Sequence, residues 1–384
     1  MTGSHDTPIV GIVGAGQLAR MMAQAAIPLG LRLRLRLLAA RSDDSAAQVW
    51  PDVEVGSPDS WDALSRFAAN CDLLTFDHEL IDPDHLAALE AAGRRLRPSA
   101  STQRFAQDKG YQREQFAAMG LPVPANRLVH SIDDVLAFAE EHGWPAVAKA
   151  RRGGYDGRGV WVLQDPDAAR LLVEQCAAAG TPLLVERWLP IERELAVLVA
   201  RRPGGASVVY PVVETVQVNG ICHEVLAPAP VEQSIAAEAA RLALRIAELT
   251  DATGILAVEM FLAEGTLSIN EIAVRPHNSG HYSIEGAVTS QFENHLRAVL
   301  DLPLGDTATT APAVVMANVL GGATGTDPRN NLAAALSIPG IHVHLYGKEA
   351  RPGRKVGHVT ALGDDLDDVR QRARHAAALL VGGE

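Results

Sequence analysis

The chain has 384 residues, too many for one compact core, and its 47% hydrophobic and 21% charged content excludes a disordered or fibrous protein. A formal net charge of −12 argues against bulk nucleic-acid binding and makes local basic clusters conspicuous. Cys71, Cys176 and Cys222 form no C-x-x-C pair, no apolar run could span a bilayer, and Met1–Pro8 is polar, so the expectation is a cytoplasmic, non-membrane protein without disulfides or zinc.

Ile9–Val13 reads as a buried strand, followed by Gly14-Ala15-Gly16-Gln17-Leu18-Ala19 and a helical run towards Ile27. Such a strand–turn–helix presents backbone N–H groups to an anion, but binding of NAD needs an acidic residue closing the second strand. That strand, expected over Leu31–Leu38, runs into Ala39-Ala40-Arg41 with no carboxylate. The unit is therefore read as a Rossmann-like half-domain for phosphate. Arg32, Arg34 and Arg36 alternate with leucines and give the strand one solvated face. Cys71–Phe76 is a further strand ending in Asp77-His78-Glu79. Ligands bind at such strand ends in open α/β sheets, although the residues alone leave a solvated loop equally open.

Arg97-Pro98-Ser99 interrupts the chain before a single helix expected over Gln103–Met119, which carries Asp108-Lys109. Trp144–Ala148 then forms a strand with Lys149 at its end, and Val160–Leu163 forms its partner. The loop between them, Arg151-Arg152-Gly153-Gly154-Tyr155-Asp156-Gly157-Arg158-Gly159, lacks the Walker A spacing. Its glycines still allow backbone N–H groups to approach an anion, and its cations suit a polyphosphate. An amphipathic helix over Asp167–Ala179 precedes a strand, Pro182–Leu189, that ends in a hinge. Arg193–Val199 alternates and puts Glu194 on a polar face. A strand over Val208–Val216 leads to Gln217, and Glu232–Thr250 is a long helix.

Gly254–Leu262 and Leu267–Ile272 read as a hairpin in which Glu259, Asn270 and Glu271 interrupt apolar strands. Carboxylates there are costly unless paired or metal-bound, and the hairpin itself holds no basic partner, which favours a magnesium site. A three-residue loop, Glu264-Gly265-Thr266, would pair Ala263 with Leu267 and set Glu259 opposite Glu271. A two-residue loop would send them to opposite faces. Arg275-Pro276-His277-Asn278-Ser279-Gly280-His281 follows, dense in hydrogen-bonding groups. After a linker at Ala308–Pro312 come strands Val314–Leu320, His342–Tyr346 and Val356–Thr360 and a helix, Asp364–Leu380. Lys348, Arg351, Arg354 and Lys355 form a second basic patch around Pro352-Gly353.

The loop Gly-Gly-Tyr-Asp-Gly-Arg-Gly resembles the lid of the ATP-grasp ligases. From Gly11 to His358 the chain is similar to the N5-carboxyaminoimidazole ribonucleotide synthetases of purine biosynthesis, with the motifs in that family's order. The resemblance implies an α/β ATP-grasp architecture: a Rossmann-like domain (1–104), a lid subdomain (105–189), a core (190–306) and a small β-rich C-terminal module (307–384). It implies ATP- and bicarbonate-dependent carboxylation of 5-aminoimidazole ribonucleotide through carboxyphosphate, by a homodimer. Lys109, Lys149, Gly154, Tyr155, Asp156, Gly157, Arg158, Gly159 and Val160 would meet the nucleotide phosphates. Glu186, Arg187, Trp188 and Leu189 would lie at the adenine, Glu194 at the ribose, and Asn270 and Glu271 beside the phosphates. Gln217 stands where the family commonly has a histidine. Glu259 and Glu271 would hold magnesium, for which manganese can substitute.

On the acceptor side the resemblance implies that Glu79, Tyr155, Asp156, Arg158, Arg275, His277, Asn278 and Ser279 face bicarbonate and the aminoimidazole. Asp77 is a shortened variant of a family glutamate. Lys348 and Arg354 would take the substrate's own phosphate, and Arg275, Lys149 and Asp156 would be the catalytic groups. Two alternatives stay open. One is another ATP-grasp ligase, related to formate-dependent glycinamide ribonucleotide transformylase or biotin carboxylase. The other is a nucleotide-binding module or NAD-dependent oxidoreductase built on Gly14-Ala15-Gly16.

Overall fold

The computed structural model describes residues 8–31, 34–154, 157–322 and 325–383. The N-terminal sheet is parallel, with β1 (Val10–Val13), β2 (Leu35–Ala39), β3 (Val53–Val55) and β4 (Leu73–Phe76) in the order β3-β2-β1-β4. Both faces are covered, as parallel sheets require: Val10 and Ile12 join one core, Val13 and Leu74 the other. β2 begins at Leu35, later than the leucine–arginine alternation suggests, and Arg32 lies outside the described residues. Arg36 pairs with Asp52 at 3.1 Å, so the surviving part of the arginine stripe is a salted edge.

The helix expected over Gln103–Met119 is two helices, Ala100–Gln107 and Lys109–Ala118. Asp108 is extended (φ −126°, ψ 103°) and caps the second helix by accepting from Gly110 N and Tyr111 N at 3.0 and 3.1 Å. Helical periodicity on both sides of Asp108 conceals the break.

A second sheet follows, antiparallel, of β5 (Asn126–Val129), β6 (Ala146–Ala150), β7 (Val160–Leu163) and β8 (Leu183–Arg187) in the order β5-β8-β6-β7. Helices Ile132–His142 and Pro166–Ala178 cover one face, against Ala146, Ala148 and Val185. Because side chains alternate, Val147, Lys149, Val160, Val162 and Glu186 share the other face.

The third sheet has nine strands: β9 (Arg193–Arg201), β10 (Ser207–Val209), β11 (Val213–Val218), β12 (Ile221–Ala227), β13 (Gly254–Ala263), β14 (Thr266–Ala273), β15 (Ala313–Leu320), β16 (Ile341–Leu345) and β17 (Lys355–Gly363). The order is β14-β13-β9-β11-β12-β15-β17-β16, with β10 on β9. The C-terminal strands thus extend the core sheet through β12–β15 pairing. The strand expected over Val208–Val216 splits around Pro211, which has no N–H for a ladder. Helix Gln233–Leu249 lays Leu242 and Ile246 onto Leu256 and Val258.

The β13–β14 hairpin departs from its expected turn. Ala263 pairs with Thr266, so the turn is the two residues Glu264-Gly265, both at positive φ (52° and 69°) as a type I′ turn requires. The register then slips by one between Glu259 and Met260. Met260 pairs with Ile269, Glu259 pairs with Glu271, and Asn270 is the extra residue of a β-bulge. The bulge also explains how Ile269 and Ile272, an odd number apart, both enter one core.

Candidate active site

A cavity of about 1470 Å³ lies where the sheets meet, and nearly every residue implicated by sequence lines it. One wall is the uncovered face of the lid sheet. Val160 and Val162 are 41% and 51% exposed there, and Trp188 just beyond β8 is 42% exposed. Apolar groups left bare inside a cleft suit a flat base, and Val147, Leu189 and Phe261 join them.

Lys149 is buried at the end of β6. Its Nζ donates to Asn270 Oδ1 at 2.9 Å and pairs with Glu186 Oε2 at 2.6 Å. Glu186 also accepts from Arg113 Nε at 2.5 Å. Burial pushes Glu186 up, but Lys149 and Arg113 outweigh it and bring the carboxyl down to about 2. Burial likewise lowers Lys149, and Glu186 opposes that fall. The Glu186 carboxylate is therefore engaged by cations, which leaves the backbone groups of β8 as the part of this residue that an adenine could meet. Arg113, fully buried, was missed by sequence reading, where it looks like one more polar helix residue.

Glu259 and Glu271 face each other and both line the cavity. The missing cation comes from outside the hairpin: Lys109 Nζ is bonded to Glu271 Oε2, and His277 Nε2 lies 3.6 Å from Glu259 Oε1. Burial raises Glu271, yet Lys109 overrides it and the group stays ionised. Burial and then the charge of Glu271 drive Glu259 well up. Two facing carboxylates of which one is forced towards its neutral form are a hard-oxygen donor pair suited to a divalent cation. Glu194 opens on the same face of the sheet. Burial pushes it up to about 7, Lys149 pulling down and Glu271 pushing further up.

Beyond β14, Arg275 Nε donates to Glu79 Oε2 at 2.6 Å, while Glu79 Oε1 is buried with no hydrogen-bond partner among the described residues. His277 Nδ1 meets Ser279 Oγ at 2.9 Å. Gln291, fully buried, clamps this loop by accepting from His277 N at 2.8 Å and donating to His277 O at 2.7 Å. Asn278 lines the cavity as expected, and its amide also closes reciprocally on Asn318 at 2.9 Å each way, which braces the loop.

In the lid, Gly154, Gly157, Arg158 and Val160 line the cavity and Gly159 does not; its carbonyl bonds Ala150 N at 2.8 Å. Tyr155 and Asp156 lie outside the described residues. Arg151 and Arg152 are tied to Asp108 at 3.0 and 3.2 Å, so two of the loop's cations anchor its root. At the tip, a Cβ on Gly220 would come within 2.8 Å of Gly157 Cα, so the β11–β12 turn touches the lid. Arg187 and Gln217 line the cavity as expected.

Of the second basic patch, Lys355 lines the cavity, whereas Lys348 and Arg354 do not. Lys348 reaches Gln17 Oε1, itself a lining residue, and Arg354 Nη1 donates to Glu349 O at 3.1 Å. The phosphate expected at Gly14–Gly16 also needs correction. Gly16 N donates to Asp77, and a Cβ on Gly14 or Gly16 would come within 2.9 or 2.7 Å of that carboxylate. Asp77 fills the turn itself.

A lid loop over a buried lysine, facing a sheet that bears an acidic pair, makes the protein an ATP-dependent ligase of the ATP-grasp class, and the ATP-grasp domain family matches residues 114–292. The ribonucleotide synthetase preATP-grasp domain matches residues 8–107, and the phosphoribosylaminoimidazole carboxylase C-terminal domain matches residues 314–372. The chain is 48% identical to the N5-carboxyaminoimidazole ribonucleotide synthase of Mycobacterium bovis, over 99% of this chain and 89% of that protein. The Thermus thermophilus synthetase structure superposes with a TM-score of 0.86 at 37% identity, covering 98% and 99% of the two chains. A complex of the Aspergillus clavatus synthase with ADP and 5-aminoimidazole ribonucleotide gives 0.87 at 33% identity, covering 97% and 98%. The chain belongs to the N5-carboxyaminoimidazole ribonucleotide synthase family.

Proposed function

We propose that the chain uses ATP to join bicarbonate to the exocyclic amine of 5-aminoimidazole ribonucleotide in purine biosynthesis. A bicarbonate oxygen attacks the γ-phosphorus, ADP leaves, and carboxyphosphate forms. The amine nitrogen then bonds to the carboxyl carbon, or to CO₂ freed from it, with loss of inorganic phosphate and a proton. The observation that carries this reading is the half-satisfied Glu79: Oε2 is held by Arg275, and Oε1 is a buried acceptor with no partner among the described residues, suited to an amine N–H. Arg275, fixed at Nε by Glu79 and at Nη1 by Pro276 O at 3.0 Å, keeps an end of its guanidinium for a planar anion.

Lys149 and Arg158 carry the nucleotide phosphates, Val160, Trp188 and Leu189 flank the base, and Glu194 takes the ribose hydroxyls. Asp156 and Tyr155 act on the acceptor. Lys355, with Lys348 and Arg354 behind it, holds the substrate phosphate. Glu259 and Glu271 would hold magnesium, with manganese as substitute; when bound, the ion offsets charge on the transferring phosphoryl group. The lid shields the labile intermediate from water. Three free cysteines suit a reducing cytoplasm, and the family resemblance favours a homodimer. Light scattering tests the dimer.

The assay is coupled ADP release in degassed buffer. ADP formation should need magnesium and bicarbonate and rise sharply with aminoimidazole ribonucleotide. Formate, glycinamide ribonucleotide and biotin should not substitute, and turnover with any of them overturns the reading in favour of another ATP-grasp ligase.

A further inference from the structure

We propose that Arg113 is a positioning residue that sets the phosphate-binding Lys149 and locks the β14 bulge on which the acidic pair depends. The proposal rests on the ATP-site reading above. Arg113 does not line the cavity and is 0% exposed, so it acts only through other residues.

Its three donor nitrogens each have an assigned acceptor. Nε donates to Glu186 Oε1 at 2.5 Å, Nη1 to Gln112 Oε1 at 2.8 Å, and Nη2 to Asn270 O at 2.5 Å. A buried guanidinium is costly unless fully paired, and an apolar side chain would pack in its place at lower cost. Two of those acceptor residues also hold Lys149, through Glu186 Oε2 and Asn270 Oδ1. Arg113 therefore braces both anchors of the lysine. Without it, Glu186 has only Lys149 for counter-charge and draws the ammonium away from phosphate.

Asn270 is the bulge residue, and its carbonyl is held by Arg113. That one inserted residue puts Glu259 across from Glu271. Glu186 belongs to the lid sheet and Asn270 to the core sheet, so one planar fork ties together the two sheets between which the nucleotide lies. Helical spacing completes the device. Lys109, four residues earlier, lies on the same helix face and bonds Glu271. A lysine at 113 would keep the charge for Glu186 but, as a point donor, would not hold both acceptors in the same geometry.

The test compares Arg113→Met and Arg113→Lys with wild type and with Lys149→Ala, by calorimetric ADP binding, steady-state KM for each substrate, and magnesium dependence. Arg113→Met should weaken ADP about tenfold or more, as loss of a charge-assisted anchor predicts, with the KM for aminoimidazole ribonucleotide within about twofold. Arg113→Lys should recover most of the ADP affinity yet still need several-fold more magnesium, because the bulge carbonyl is released. A folded Arg113→Met enzyme with wild-type ADP affinity overturns the lysine-setting claim. Should that variant not fold, Arg113→Lys with wild-type magnesium dependence overturns the bulge claim alone. If Lys149→Ala also leaves ADP binding intact, the ATP-site reading fails; if only Lys149→Ala weakens it, the fault lies with Arg113.

Discussion

Glu259 faces Glu271 directly across β13 and β14, although only two residues turn the chain between them. A regular hairpin with that turn would pair Glu259 with Asn270 and point Glu271 away, so the bulge is what creates the pair. Lys109 is bonded to Glu271, whereas Glu259 has no closer cationic group among the described residues than His277 at 3.6 Å. Burial first, and then the charge of Glu271, push Glu259 towards protonation, and a divalent cation would oppose both. Glu259→Gln should therefore raise half-saturating magnesium in the ADP-release assay by about tenfold or more while sparing metal-free ADP binding. An unchanged magnesium titration would show that the pair is structural.

Glu194 gives a pH signature in the unliganded protein. Its folded value of about 7 lies above the 4.5 of a free glutamate, so the folded state binds this proton more tightly. The stability this contributes is complete below pH 4.5 and is lost as pH rises through about 7. Glu194→Gln, neutral at every pH, should remove that loss. Its unfolding free energy relative to wild type should rise by roughly 1–3 kcal/mol between about pH 5 and about pH 8. Denaturant titrations at both pH values check it, and parallel curves would mean that Glu194 is solvated.

The two cationic groups should separate kinetically. Lys149→Ala should raise the KM for ATP and lower thermal stability, because Glu186 keeps only Arg113 as counter-charge. Lys355→Ala should raise the KM for aminoimidazole ribonucleotide by about tenfold or more and leave ATP alone, with Lys348→Ala and Arg354→Ala following in weaker form. Equal effects on both substrates would show that the C-terminal patch serves the nucleotide.

Some of this was legible in the sequence and some was not, for identifiable reasons. The strand–Lys149–loop–Val160 unit was readable because a glycine-rich basic loop between two apolar runs has few other uses. Opposition of Glu259 and Glu271 was expected, but from a three-residue turn that does not exist; Glu264-Gly265 is a type I′ pair and the bulge restores the register. The spacing of Ile269 and Ile272 was the available clue, since two core residues an odd number apart in one strand imply an inserted residue. Asp108 breaks the helix by capping the next one, while the nearby Gly110 sits inside that next helix, so periodicity does not register the break. Arg113, Gln291 and Asn318 act through contacts with residues 73, 14 and 40 positions away, and no local pattern distinguishes them from polar surface.

The Arg275–Glu79 pair offers the sharpest chemical test. Arg275→Ala removes the cation proposed to hold the bicarbonate-derived anion, so carboxylation should fall by about a hundredfold or more while ADP still binds. That change also strips Glu79 of its partner at 2.6 Å, so the single variant mixes two effects. Glu79→Gln separates them. The amide keeps the shape and accepts from Arg275 through its oxygen, but its NH₂ now meets the amine that Oε1 would have received. The acceptor then binds poorly while carboxyphosphate still forms and breaks down. The ratio of ADP released to carboxylated product should accordingly rise above one in Glu79→Gln and stay near one in wild type. Because the two side chains touch, the double variant should lose less than the sum of the single losses. A Glu79→Gln enzyme that stays fully coupled, or an additive double variant, would place the acceptor amine elsewhere in the cavity.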